Sequence, residues 1–392
     1  MPRAVVTHAL RTPIGKFLGQ FKDVSAVDLW AVVGRSVLAA AQLEPGAVED
    51  AFIGCARQAG LGPNPARQAV LKAGCADTVT ATTVNMACGS GLKSIILAAQ
   101  SIALGEAKVV LAGGMESMSR VPFLLPQARL GYRLGHSKMV DAMYQDGFHC
   151  PMANQLMGET AETLARQYGI SREEQDEFAA RSHEKAAAAA ARLAEEIVAV
   201  SVAAKSGAVE VRLDEQVRAD MTAAKLAGLP AVFAPEGGTV TAGNASGITD
   251  GASALVLMSE DEAQRRGLVP LATFEAWSAA GVDPRVMGIG PVPAVKALEA
   301  KHGLARDAFD LVELNEAFAA QALACDRELK LDAQRVNVNG GAIALGHPIG
   351  STGARIVVTL LHELRRRNGK LGLATLCISG GQGLACAFRR AS

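Results

Sequence analysis

Apolar residues recur along the chain in two alternating patterns, short continuous runs and longer stretches with helical spacing. Leu29 to Gln42 reads as a helix with Asp28 at its N-cap. A turn follows at Glu44-Pro45-Gly46, and Ala51 to Cys55 then reads as a short buried strand. Residues 291–318 repeat that order, with a helix from about Val292 to Lys301 and a strand over Phe309 to Leu314 that ends at Asn315. A second pair is closer. Thr82 to Asn85 leads through a glycine turn into a helix from Leu92 to Ala103, then the strand Val109 to Ala112 and Gly113-Gly114. Val336 to Asn339 leads through a glycine-rich loop into a helix from Ala354 to Arg366, then the strand Leu373 to Leu376 and Gly380-Gly381. Two stretches with one β/α order predict a duplicated α/β unit with parallel sheets.

Between the repeats the texture changes. Residues 121–245 intersperse Met, Gln, His and Arg with short irregular pieces. A helix pair follows over about 158–168 and 171–193, the second opened by a capping box at Ser171 and Glu174. The six alanines at 186–191 read as helix filler. An excursion of this size from an α/β core usually carries substrate contacts.

At 392 residues the chain exceeds one ordinary domain, and with nearly half its residues hydrophobic it can bury a large core. The 39 basic residues balance the 39 acidic ones, which leaves no electrostatic footprint for nucleic acid or acidic membranes. No uninterrupted apolar run approaches the roughly 18 residues of a membrane span, and no leader precedes the first strand, so a cytoplasmic location is expected. Seven cysteines, an odd number without a C-x-x-C pair, argue against a disulfide framework or a metal site.

Local setting singles out some of these residues. Cys88 lies in Asn85-Met86-Ala87-Cys88-Gly89-Ser90-Gly91, between strand and helix, where free amides at a helix start favour thiolate. Glycines at 89 and 91 would let a substrate approach the backbone. The bland alternative is a buried cysteine in a tight turn. His347 sits in Gly346-His347-Pro348-Ile349-Gly350, held extended by the following proline. A lone histidine there is more often structural, but it precedes the equivalent helix of the second repeat. Cys377 follows a buried strand and opens a run of glycines, and Asn315 ends another strand. If the repeats are related by a pseudo-twofold axis, these loops can converge on one cleft.

Together these blocks resemble the signatures of the thiolase family: Cys88-Gly89-Ser90-Gly91, Asn315 to Ala319, Gly346 to Gly350, and Cys377 with Gly380-Gly381. The likeness extends to Arg11-Thr12-Pro13-Ile14-Gly15, Gly113 to Ser119, Met157 to Glu162, Gly243 to Gly247 and Met287 to Pro291, essentially the whole chain. The resemblance implies a layered α-β-α-β-α fold of two halves. Residues 1–120 (completed by about 246–269) would form the first half, 270–392 the second, and 121–245 a loop domain that binds coenzyme A.

It also implies an acyltransferase for short- to medium-chain 3-ketoacyl-CoA, most simply an acetyl-CoA C-acetyltransferase. Cys88 would be acylated, His347 would take its proton, and Cys377 would move the proton at the acetyl α-carbon. Asn315 would hold a water at the enolate oxygen, and backbone amides of Cys88, Ser379 and Gly380 would serve the other oxyanion. Ser246 and Arg218 would contact CoA. Met157, Phe318, Ala317, Ala242 and Met287 would line the acyl group. No permanently bound cofactor or metal is implied, with CoA as cosubstrate, and a dimer or tetramer is expected by analogy.

Two residues depart from the family pattern. Leu156 stands where enzymes acting on acetoacetyl-CoA commonly have histidine, and Ser379 replaces a glycine, which would strain a positive φ. Decarboxylating ketosynthases share the fold but generally use two histidines with the cysteine. A carrier that has lost catalysis would not need Cys88, His347 and Cys377. The Asn244-Ala245-Ser246 sequon reads as coincidental.

Overall fold

In a computed structural model, which describes residues 2–204 and 207–391, the first repeat contributes strand β1 (Ala4–Arg11), helix α1 (Ala26–Ala40), β2 (Asp50–Gly54), α2 (Pro65–Ala73), β3 (Thr82–Val84), α3 (Ser90–Leu104) and β4 (Val109–Ser117). A long excursion carrying α4 (Met157–Tyr168) and α5 (Arg172–Ala188) separates β4 from β5 (Thr249–Ser259). The second repeat runs through β6 (Ala272–Gly281), α6 (Pro291–His302), β7 (Leu311–Leu314), α7 (Ala319–Leu329), α8 (Ile349–Arg367), β8 (Leu371–Ile378) and β9 (Gln382–Arg390).

The strands join in the order β7-β8-β9-β6-β1-β5-β4-β2-β3, and the halves meet through two residue pairs, Val5 with Thr273 and Val6 with Ala272. Helices α1 and α2 cover the outer face of the first half, and α6 and α7 cover that of the second. Between the two half-sheets lie α3 and α8, which completes a five-layer α-β-α-β-α stack. Each repeat places a mostly apolar helix where both sheets can bury it, and α8 is buried along nearly its whole length.

The expected parallel sheets are only partly present. Strand β2 runs parallel to both of its neighbours, β3 and β4, and β7 runs parallel to β8, whereas β4–β5, β5–β1, β1–β6, β6–β9 and β9–β8 are antiparallel. Parallel pairing needs a helical crossover, and between β8 and β9 there is only a tight turn. Gly380 (φ 89°) and Gly381 (φ 84°) form that turn, so Ser379 escapes positive φ and is not strained as feared. The strand read at Val336–Asn339 is reduced to one bridge, Val336 with Val312.

Cap and boundary readings also shift. Ser25, not Asp28, caps α1, with its Oγ accepting the Asp28 amide at 3.1 Å. The capping box at Ser171 and Glu174 is formed as read. The alanine run, however, breaks the helix at Ala189. The window Ala87–Leu104 has the length and mean hydropathy (1.3) of a membrane span, yet it contains α3 at the centre of the stack. Ser, Lys and Gln residues interrupt the apolar run. Asn244 of the sequon is fully buried and bonded to Asp176 and to the Thr239 carbonyl.

Candidate active site

Chain turns sharply between β3 and α3. Ala87 adopts φ 45°, a left-handed conformation that costs free energy for a residue with a Cβ. Three hydrogen bonds hold it. Asn85 Oδ1 accepts the Ala87 amide at 3.0 Å, and Ser90 Oγ accepts the Met86 amide at 2.9 Å while donating to the Ala87 carbonyl at 2.6 Å. The turn presents the half-buried Cys88 thiol, whose sulfur receives the backbone N–H of Ser379.

The glycines beside Cys88 are required by packing, whatever room they also leave a substrate. A Cβ on Gly89 would lie 2.6 Å from Ile378 Cδ1, and one on Gly91 would lie 2.7 Å from the Ala354 nitrogen at the start of α8. The expected low thiol pKa is overturned. Burial pushes Cys88 above its ordinary value, and the Ser379 amide and the nearby Arg57 charge only partly offset it. Desolvation of a thiolate outweighs a helix N-terminus here.

His347 follows Gly346 (φ 104°) and precedes α8. Its Nδ1 lies 2.6 Å from Thr352 Oγ1, and Thr352 Oγ1 donates to the Pro348 carbonyl at 3.0 Å. The single hydroxyl proton is thereby committed, so Nδ1 is the protonated ring nitrogen and Nε2 keeps its lone pair. Nε2 is buried with no hydrogen-bond partner among the described residues. Burial, with the Arg355 and Arg57 charges, lowers the imidazole to about 3, so it is neutral at ordinary pH.

Glu116 ties the two loops together. Its buried carboxylate accepts the amides of Ala56 (3.1 Å), Arg57 (3.0 Å) and Gly350 (2.9 Å), joining the chain after β2 to the first turn of α8. Cys377 is buried within the end of β8 rather than after it. Burial, with the neighbouring Cys88 sulfur, pushes its thiol well above the usual range. Asn315 follows β7 beside that strand, its amide nitrogen bonded to the Thr375 carbonyl at 3.0 Å. Both side-chain polar atoms of Asn315 are buried without partners among the described residues.

One cavity of about 520 Å3 unites most of these positions. Cys88, His347, Cys377 and Ser379 line it together with Ser246, Arg218, Met157, Phe318, Ala317, Ala242 and Met287. Asn315 and Gly380 are not in its wall. Antiparallel contact of Ala245 with Phe318, and the Ser246 amide on the Ala317 carbonyl at 3.0 Å, dock the 243–247 loop against the chain after β7. Arg218 is exposed at the rim, and its backbone N–H donates to His183 Nδ1 at 3.2 Å. Leu156 keeps its part of the wall apolar.

Sequence reading missed Thr352, Glu116, Arg57 and Lys16. Thr352 had a usable signal: four residues after Pro348 in a helix start, it must face the preceding turn. Lys16 follows the Arg11 to Gly15 segment and lines the cavity. Nothing local marks Arg57. Chemically, the cavity offers two neutral thiols and a neutral imidazole with a free basic nitrogen, a set suited to nucleophilic and proton-transfer steps.

Family models place this geometry among known proteins. One for the thiolase N-terminal domain matches residues 4–261, and one for the thiolase C-terminal domain matches residues 268–390. The sequence is 50% identical over 393 residues to an acetyl-CoA acetyltransferase of Escherichia coli (strain K12), covering 100% of both chains. It is 52% identical over 389 residues to a probable acetyl-CoA acyltransferase of Staphylococcus aureus (strain COL), covering 98% of each. The crystal structure of the Bacillus anthracis acetyl-CoA acetyltransferase superposes with a TM-score of 0.97 at 46% identity, covering 100% of this chain and 99% of that one.

Proposed function

Because the chain belongs to the thiolase family, we propose that it is an acetyl-CoA C-acyltransferase that makes and breaks 3-ketoacyl-CoA through acyl-Cys88. The observation that carries this reading is the meeting of Cys88, His347 and Cys377 in one cavity, with the basic nitrogen of His347 left free.

In the cleavage direction the Cys88 proton passes to His347 Nε2 and the thiolate attacks the keto carbon. The bond to the α-carbon breaks, and Cys377 protonates the acetyl enolate that leaves. CoA then gives its thiol proton to the Cys377 thiolate and attacks acyl-Cys88, and His347 returns its proton to the departing sulfur. Both thiols start neutral, so no stable ion pair has to be dismantled. Amides of Cys88 and Gly380, with that of Ser379 once it releases the Cys88 sulfur, serve the tetrahedral oxyanion. The unpartnered atoms of His347 and Asn315 suit a water at the enolate oxygen.

CoA is the cosubstrate, with no resident cofactor. Its pantetheine arm runs past Ser246, and its phosphates meet the basic groups at the mouth, Lys16 and Arg218. Met157, Met287, Phe318, Ala317 and Ala242 enclose the acyl group. The chain works as a homo-oligomer, a reading supported by the exposed Phe123, Leu125, Leu130, Leu134 and Met139 of one extended segment. Seven free cysteines suit a reducing compartment, and we infer a cytoplasmic location.

Cys88→Ala tests the reading. The variant is expected to lose CoA-dependent cleavage of acetoacetyl-CoA, and the wild type to carry an acetyl group on the Cys88 peptide after exposure to acetyl-CoA. Undiminished cleavage by the variant would overturn it.

A further inference from the structure

Among the described residues three arginines are buried, and two are paired. Arg11 bonds Glu196 at 2.5 Å and Asp214 at 2.7 Å, and Arg355 bonds Glu313 at 3.3 Å. Arg57, only 8% exposed, has no carboxylate within 4.0 Å among the described residues. Its guanidinium has one long contact, Nη1 to the Ala56 carbonyl at 3.5 Å, and its Nε is buried without a partner. Glu116, the nearest acid by charge, spends its oxygens on three backbone amides.

Arg57 lines the same cavity as Cys88. Beside it the cavity wall carries Phe148 and Ile349, which belong to one apolar cluster with Ala56, Met118 and Met143, and Cys88 packs against the same cluster. Gly147 packs against the guanidinium, where a Cβ would come within 2.3 Å of Nη2 and 2.7 Å of Cζ and Nε. That glycine leaves no side chain to cover or pair the cation. A buried, planar cation in an apolar wall is costly unless something anionic meets it. Nε is enclosed and Nη1 leans on the Ala56 carbonyl, so the guanidinium would meet a carboxylate through Nη2, whose donors are unused among the described residues.

From this arrangement we infer that the acyl pocket accepts 3-ketoacyl chains that end in a carboxylate, held by Arg57 at the end of the chain remote from the thioester. This deepens, and rests on, the acyltransferase reading. A chain carried on Cys88 passes over the apolar cluster and presents its terminal carboxylate to the guanidinium. A methyl-ended chain of equal length leaves the cation unpaired and is disfavoured by the same desolvation. Leu156 keeps another part of the wall apolar, so selection for charge falls to Arg57.

The test compares kcat/KM for CoA-dependent cleavage of two six-carbon 3-ketoacyl-CoA substrates, one ending in a carboxylate and one in a methyl group. The wild type is expected to favour the acid by at least about tenfold, modest for a site built around a polar partner. In Arg57→Gln the ratio should fall to about one or below. Arg57→Lys, which keeps the charge but not the position of the guanidinium N–H groups, should retain part of it. No preference in the wild type, as if Asp146 of the neighbouring turn served the guanidinium instead, would overturn the proposal, as would a ratio unchanged in Arg57→Gln. Wild-type protein that cleaves neither these substrates nor acetoacetyl-CoA would overturn the acyltransferase reading itself.

Discussion

Thr352 Oγ1 lies 2.6 Å from His347 Nδ1 and sends its own proton to the Pro348 carbonyl at 3.0 Å. The pair fixes which imidazole nitrogen is basic, because a hydroxyl with its proton spent can only accept from the ring. Removing the hydroxyl frees the tautomer and the ring orientation. Thr352→Val, nearly isosteric, should lower kcat by about tenfold to a hundredfold with little change in KM, as losses of orienting hydrogen bonds typically do. Thr352→Ser should restore most of the rate. A Val variant with wild-type kcat would show that Nδ1 needs no partner.

Burial sets the resting charge of the nucleophile. The Cys88 thiol stands above its ordinary value of 9.0, and His347 at about 3, so the pair rests as thiol and neutral imidazole. Thiolate is the alkylated form, and below the thiol pKa its fraction rises about tenfold per pH unit. The rate of Cys88 alkylation by iodoacetamide is therefore expected to climb steadily from about pH 6 to about pH 9. A plateau already reached at neutral pH would mean a preformed thiolate–imidazolium pair and would contradict the burial argument.

Cys377 has a separable part in the cycle. Cys377→Ala should still become acetylated on Cys88 when mixed with acetyl-CoA, though more slowly, because Cys88 and His347 make the attack and a CoA thiolate can depart without the proton that Cys377 otherwise supplies. Condensation to acetoacetyl-CoA should fall by about a hundredfold or more, the usual worth of a general acid or base. Peptide mass spectrometry and a steady-state assay read the two steps apart. Condensation at the normal rate would assign the α-proton to another group.

Close backbone packing between α3 and α8 gives a stability prediction. Gly91 of α3 leaves room only for a hydrogen against Ala354 of α8. Gly91→Ala must push the helix starts apart at a cost of about 1–3 kcal/mol. A lower urea midpoint should follow, and activity should drop because both catalytic loops sit on these helix starts. An unchanged midpoint would mean that the helices can separate freely.

Local chemistry made much of this protein legible. Apolar spacing placed most strands and helices to within a few residues, and Ser171 with Glu174 form their capping box because both partners lie in one helical turn. The blocks around Cys88, Asn315, His347 and Cys377 were readable for the same reason, since each is a short run whose side chains sit on one turn. Strand direction was not. Whether β9 runs antiparallel to β8 depends on a three-residue turn that sequence periodicity cannot distinguish from a loop leading elsewhere.

What the sequence by itself determined is therefore the set of elements, their repeated order and the reactive residue types at strand ends. Only the tertiary structure decided the protonation of Cys88, the tautomer of His347 and the exposure of an unpaired Arg57 to the cavity. Each depends on desolvation and on charges brought from distant segments: Ser379 and Arg57 onto Cys88, Arg355 and Arg57 onto His347, and Gly147 against Arg57. Electrostatic free energy is set by surroundings in three dimensions, and local sequence does not encode which segments those surroundings will be.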